Sequence, residues 1–269
     1  CHHRHGQETG RSNCVSPKMF YLKTLTERIL ARRGRDASQL PDARKTGYTC
    51  PMPYLRLNDQ RLFYAKQGSH SQRPAVVLVH GAGGSRLAWP AVLRRLPNTA
   101  VYTLDLPGHG RSDLPGHDTI DDYAQAVLAL IDKLEIARYV IVGHSMGGAI
   151  AQTIGRRQPP GLAGLVLLGT SARLPVSPVI LENALANPDK AIDLIVRYAW
   201  SDGVPQAMLT QAREQLTAVD PTVLYGDFVA CNRFDLTAEL GHIPVPTLVV
   251  SGSAARKTGH AVSGENKAL

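Results

Sequence analysis

From about residue 53 onward the chain alternates short apolar runs with longer amphipathic stretches. Ala75–Val79 is a continuous apolar run, as expected of a strand buried on both faces, and Ala100–Leu104, Tyr139–Val142 and Leu165–Leu168 also read as strands. Ahead of them, Met52–Leu57 and Leu62–Tyr64 flank Asn58-Asp59 in a hairpin pattern. A helix is expected near Arg86–Leu96. Another begins behind Thr119, a capping residue, with Ile120, Tyr123, Val127, Leu130, Ile131 and Leu134 on one face. Strands alternating with helices predict an α/β fold, a mostly parallel, doubly wound sheet with helices on both faces. Residues 173–240 break this rhythm. After Pro175 and Pro178, helical patterns follow at Val179–Ala186, Ala191–Trp200, Gln206–Val219 and Thr222–Cys231. A helical insertion is therefore expected there, before the sheet resumes at Pro246–Ser251.

At 269 residues the chain can form one α/β domain with a sizeable core. Its net charge of +8 invites a nucleic-acid reading, but the charge is unevenly placed. Residues 1–51 hold ten Lys/Arg against four Asp/Glu, leaving residues 52–269 nearly neutral, so no nucleic-acid partner is implied. No apolar run approaches the roughly 18 residues of a membrane span. Of the four cysteines, three (Cys1, Cys14, Cys50) precede residue 52 and only Cys231 follows, which is no disulfide framework and suggests a cytoplasmic setting. The basic stretch 1–51 reads as an extension with little fold, with Met52 as a natural start. Leu22, Leu25, Ile29 and Leu30 would suit a targeting helix, but Glu27 and Asp36 oppose it. His2, His3 and His5 lack paired ligand spacing, so no metal is expected.

The candidate chemistry lies at the ends of two apolar runs. Gly143-His144-Ser145-Met146-Gly147 follows Tyr139–Val142 and opens into Gly148-Ala149-Ile150. Strand, sharp turn with serine at its apex, then helix is the layout of a nucleophile elbow. Such a serine needs a strained, positive-φ backbone, and the glycines two residues to either side allow close approach. Ala75–Val79 ends in His80-Gly81-Ala82-Gly83-Gly84-Ser85, a loop able to supply an N–H to an oxyanion. The expected donors are Met146 and Ala82. Neither glycine pattern of a phosphate-binding loop fits.

These two motifs, with Asp105-Leu106-Pro107-Gly108-His109-Gly110-Arg111-Ser112 between them, are similar to those of the α/β-hydrolase family, in the family's order. The resemblance is to cap-containing serine hydrolases of the esterase and lactonase kind. It implies Ser145 as nucleophile, a cap at about 173–240, a small-molecule acyl substrate and no cofactor. It also implies a substrate pocket bordered by Gly81, His144 and Trp200. The resemblance stops near Gly252, short of the family's last strand and helix, so an incomplete C-terminus is expected.

A serine needs a histidine base, oriented by a carboxylate. Ala255 stands where the family carries its aspartate, and Glu265 is the next carboxylate downstream. Gly169-Thr170-Ser171-Ala172, the other customary place, offers none. His260 is the candidate base. Three readings stay open: an acyl-enzyme hydrolase of esters, thioesters or lactones; an impaired fragment or pseudoenzyme that binds a ligand; or C–C bond hydrolysis or cofactor-free perhydrolysis on the same elbow.

Overall fold

The structure, a computed structural model, describes residues 53–57, 59–69, 72–200 and 203–252. The expectations for residues 1–51, Met52, Asn58, Ala255, His260 and Glu265 lie outside the described residues.

Seven strands form one sheet in the order β1-β2-β4-β3-β5-β6-β7. β1 (Tyr54–Leu57) and β2 (Gln60–Gln67) are the expected hairpin, and β2 runs antiparallel to β4 (Val101–Leu104). The rest is parallel: β3 (Ala75–Val79) lies between β4 and β5 (Tyr139–His144), followed by β6 (Leu162–Leu168) and β7 (Thr247–Val250). The strand order reverses at β3, which is where a doubly wound sheet opens a crevice at its carboxyl ends. Register makes those ends level. Val79 faces Gly143, and His144 faces Leu168, so the loops after β3, β5 and β6 leave the sheet together.

The helix expected over Arg86–Leu96 is instead a 3₁₀ turn, Arg86–Ala88, and a one-turn helix α1, Ala91–Arg94. Pro90 separates them, because its ring excludes a helical hydrogen bond at that point. α2 (Ile120–Lys133) starts as the pattern requires, with Thr119 Oγ1 accepting from the Asp122 N–H at 3.1 Å. Its apolar face packs into the core along with α3 (Met146–Arg157).

Within 173–240 the chain forms α4 (Pro178–Ala186), α5 (Pro188–Ala199), α6 (Gln206–Thr217) and α7 (Pro221–Arg233), close to the expected bounds. Three of them begin with Pro, whose missing N–H costs nothing in the first turn. Asn187 ends α4 and caps α5 through the Lys190 N–H. Among the described residues, no helix is long and apolar enough to cross a membrane.

Candidate active site

Ser145 joins β5 to α3 with φ 53° and ψ −120°. A non-glycine residue persists there only when its surroundings impose the conformation. They do: the Ser145 N–H donates to Leu168 O at 3.0 Å, and its carbonyl accepts from Gly148 N at 2.8 Å and Ala149 N at 3.2 Å. Both glycines of the motif are required by contact. A Cβ on Gly143 would strike the backbone of Gly147 and Gly148, and one on Gly147 would strike the backbone of Val79 and His80. The start of α3 is therefore wedged against the end of β3.

That wedge brings the glycine loop to the serine. A Cβ on Gly81 would stand 3.1 Å from Ser145 Cβ and 3.2 Å from His144 Nδ1. Gly81 is buried, Ser145 half-buried and His144 exposed. The Met146 side chain lies in the core, and its amide opens α3, where helix N–H groups lack intrahelical acceptors. Among the described residues the N–H groups of Ala82 and Met146 donate to no protein acceptor, and Ser145 Oγ has no hydrogen-bond partner.

Trp200, at the end of α5, lines a cleft of about 460 Å³ with Val196, Val204 and Leu209. Neither Ser145 nor any residue of the glycine loop lines it, so the structure does not bring Trp200 to the serine through this cleft.

Beneath the glycine loop lies a buried polar cluster. The Asp227 carboxylate, from α7, accepts the Gly83 N–H at 2.7 Å and the Tyr123 hydroxyl at 2.6 Å, and its Oδ2 lies 2.8 Å from His109 Nε2. The Leu106 N–H donates to His80 Nε2 at 3.0 Å, and His80 Nδ1 faces Gly81 O at 2.9 Å. These contacts fix His80 as a neutral imidazole with its proton on Nδ1. Burial first, and then the nearby His109 charge, push its pKa down to about 3. For His109 burial opposes the charge, but Asp227 and the Pro107 carbonyl outweigh it and raise its pKa. Asp105 braces the same region by accepting from the Arg86 N–H at 2.7 Å and the Arg111 N–H at 3.1 Å.

Sequence reasoning missed Asp227 altogether and read Tyr123 only as core. A signal was present. Asp227 shares the inward face of α7 with Val223, Leu224, Ala230 and Cys231, three and four residues away, and a carboxylate on an apolar face needs a partner. Among the described residues there is no cluster of His, Cys, Asp or Glu able to hold a metal ion.

Comparison with known proteins agrees with this architecture. The model of a family described as alpha/beta hydrolase matches residues 76–267. Lipase LipV of Mycobacterium tuberculosis is 32% identical over 205 residues, covering 71% of this chain and 78% of that protein. The dihydrolipoyllysine-residue acetyltransferase component of the acetoin cleaving system of Pseudomonas putida is 33% identical over 148 residues, 53% of this chain and 36% of that protein. This chain thus spans about a third of that relative. The crystal structure of the enol-lactonase from Burkholderia xenovorans LB400 superposes with a TM-score of 0.69 at 28% identity, covering 77% of this chain and 85% of the other.

Proposed function

The chain belongs to the alpha/beta hydrolase family, and from that premise we propose that it is a serine hydrolase acting on a carboxylic ester, thioester or lactone through an acyl-enzyme. The observation that carries this reading is Ser145 at φ 53°, with Gly81 packed against it. In the proposed reaction Ser145 Oγ attacks the acyl carbon as its proton passes to a base. The carbonyl oxygen becomes an oxyanion held by the N–H groups of Met146 and Ala82. Collapse expels the alcohol or thiol, which takes up the proton, and water then releases the acid by the same steps in reverse. The base is a histidine from outside the described residues, with His260 as the candidate. The lipase and enol-lactonase likenesses support acyl substrates with an ester linkage, open or cyclic. A cytoplasmic setting is part of the proposal, supported by Cys231, a buried free thiol.

A second reading, ligand binding without turnover, is favoured by Ala255 at the family's aspartate position. A fluorophosphonate probe separates the two. The hydrolase reading expects Ser145 to be labelled and p-nitrophenyl acetate to be turned over. Ser145→Ala should abolish labelling and lower turnover by about 10⁴-fold or more. A folded parent protein that resists the probe and leaves the ester intact overturns the reading.

A further inference from the structure

We propose that Asp227, carried by cap helix α7, is a positioning residue. Paired with a doubly protonated His109, it holds the Gly83 N–H and so sets the turn that presents Ala82 to the reacting carbonyl. This rests on the serine-hydrolase reading above.

The protonation follows from the oxygen atoms around His109. Its Nδ1 lies 2.9 Å from Pro107 O, which can only accept, so Nδ1 carries a proton. Its Nε2 faces Asp227 Oδ2 at 2.8 Å. That carboxylate already takes N–H and O–H donors from Gly83 and Tyr123, so a proton on both ring nitrogens satisfies every contact as an imidazolium–carboxylate pair. The groups facing His109 are Asp227 from α7, Tyr123 from α2, His80 from the loop after β3 and Asp105 from the end of β4. His80, with ring centroids 4.9 Å apart from His109, adds no second charge because its Nε2 accepts from Leu106.

The link to the oxyanion loop is direct. Gly83 sits at φ +61°, and its N–H belongs to the peptide that joins it to Ala82. That peptide has two restraints from α6 and α7: the bond to Asp227 and the Leu216 and Leu224 side chains packed against Gly83. Asp227, His109 and Tyr123 are all buried, so water cannot replace the carboxylate without opening the cluster. α7 therefore does more than cover the crevice. It fixes the geometry of a proposed catalytic donor from beneath.

Three variants test this by their rate of fluorophosphonate labelling. Asp227→Ala should slow labelling of Ser145 by about 10- to 100-fold per folded molecule, in line with the effect of a misplaced oxyanion donor. Asp227→Asn keeps an oxygen for the Gly83 N–H and should recover to within about threefold of the parent at pH 7. Tyr123→Phe removes one donor to the same carboxylate and should slow labelling, by less than Asp227→Ala does. The proposal is overturned if Asp227→Ala labels as fast as the parent, or if Asp227→Asn labels no faster than Asp227→Ala.

Should Asp227→Ala fail to fold, nitrogen NMR on the parent and Asp227→Asn decides. Two protonated ring nitrogens on His109 at pH 7 in the parent, one in Asp227→Asn, and a slowly exchanging Gly83 amide support the proposal. A neutral His109 or a rapidly exchanging Gly83 amide in the parent overturns it. A parent that never labels defeats the hydrolase reading, whereas a parent and an Asp227→Ala variant that label alike defeat this inference alone.

Discussion

Two parts of the sheet are built from nearly the same letters and end up in opposite surroundings. Val76-Val77-Leu78-Val79 in β3 and Leu248-Val249-Val250 in β7 are both continuous apolar runs. Val77 and Val79 are wholly buried, while Leu248 is 59% and Val250 46% exposed. The cause is position. β3 lies between β4 and β5 with α3 wedged against its end, whereas β7 pairs only with β6 among the described residues. Chemistry follows the same division. The β3–β5 end holds Ser145, the glycine loop and a polar cluster in which each carboxylate and imidazole has partners. Nothing described at the β7 edge supplies a base or an acid to the serine. A rigid scaffold at one end can set a strained serine and hold its neighbours to within the tolerance that catalysis needs.

The largest test sets a glycine from each region side by side. Gly147→Ala puts a Cβ into the backbone of Val79 and His80, so β3 and α3 must separate. Urea unfolding should show a loss of about 4 kcal/mol or more, or no soluble folded protein. Gly241 precedes β7 in the 3₁₀ turn Thr237–His242 and has nothing within 4 Å of an added Cβ. Gly241→Ala should change stability by no more than about 0.5 kcal/mol. Equal effects at the two sites would erase the distinction between wedge and edge.

The same division explains what could be read in the sequence. The elbow was legible because its parts are consecutive. Gly143, Ser145 and Gly147 act on one another across five residues, and each glycine is demanded by backbone contact. The helices over 173–240 were legible from apolar spacing and from Pro at their starts. The helix expected near Arg86–Leu96 is broken into shorter pieces by Pro90. Asp227 was illegible in its role because its partners are remote: Gly83 is 144 residues away, His109 118 and Tyr123 104. The strand expected at Pro246–Ser251 forms as β7, but its exposure was not legible, since hydropathy reports what a strand would tolerate and says nothing of its neighbours.

A test of intermediate size uses the two buried histidines, whose titrations act in opposite directions. His109 has a folded-state pKa above its unfolded value, so its contribution is full below the ordinary histidine range and is lost as pH rises through the raised value. His80 has a folded pKa of about 3, against about 6.5 unfolded. Its contribution is full above about pH 6.5 and declines as pH falls toward 3, by about 1.4 kcal/mol per pH unit. Unfolding free energy measured from pH 4 to pH 9 should therefore fall off on both sides. His80→Asn should flatten the acid side, and His109→Gln the alkaline side. Unchanged slopes in both variants would mean that the cluster does not control the pH response of the β3–β5 end.

The smallest effect on stability is expected at the other end, where it is the more informative for being small. Leu248→Lys places a charge on the exposed face of β7, where the long stem can lie along the strand and the ammonium can reach water. Stability, measured by urea unfolding at several protein concentrations, should shift by no more than about 0.5 kcal/mol. A loss above about 2 kcal/mol would mean that Leu248 is buried in solution, either by a second copy or by residues outside the described range. A loss that depends on protein concentration identifies the second copy; one that does not identifies the same chain. In either case the face of β7 would be covered as that of β3 is, and its carboxyl end would become a more fixed position, able to carry the acid that the described residues do not provide.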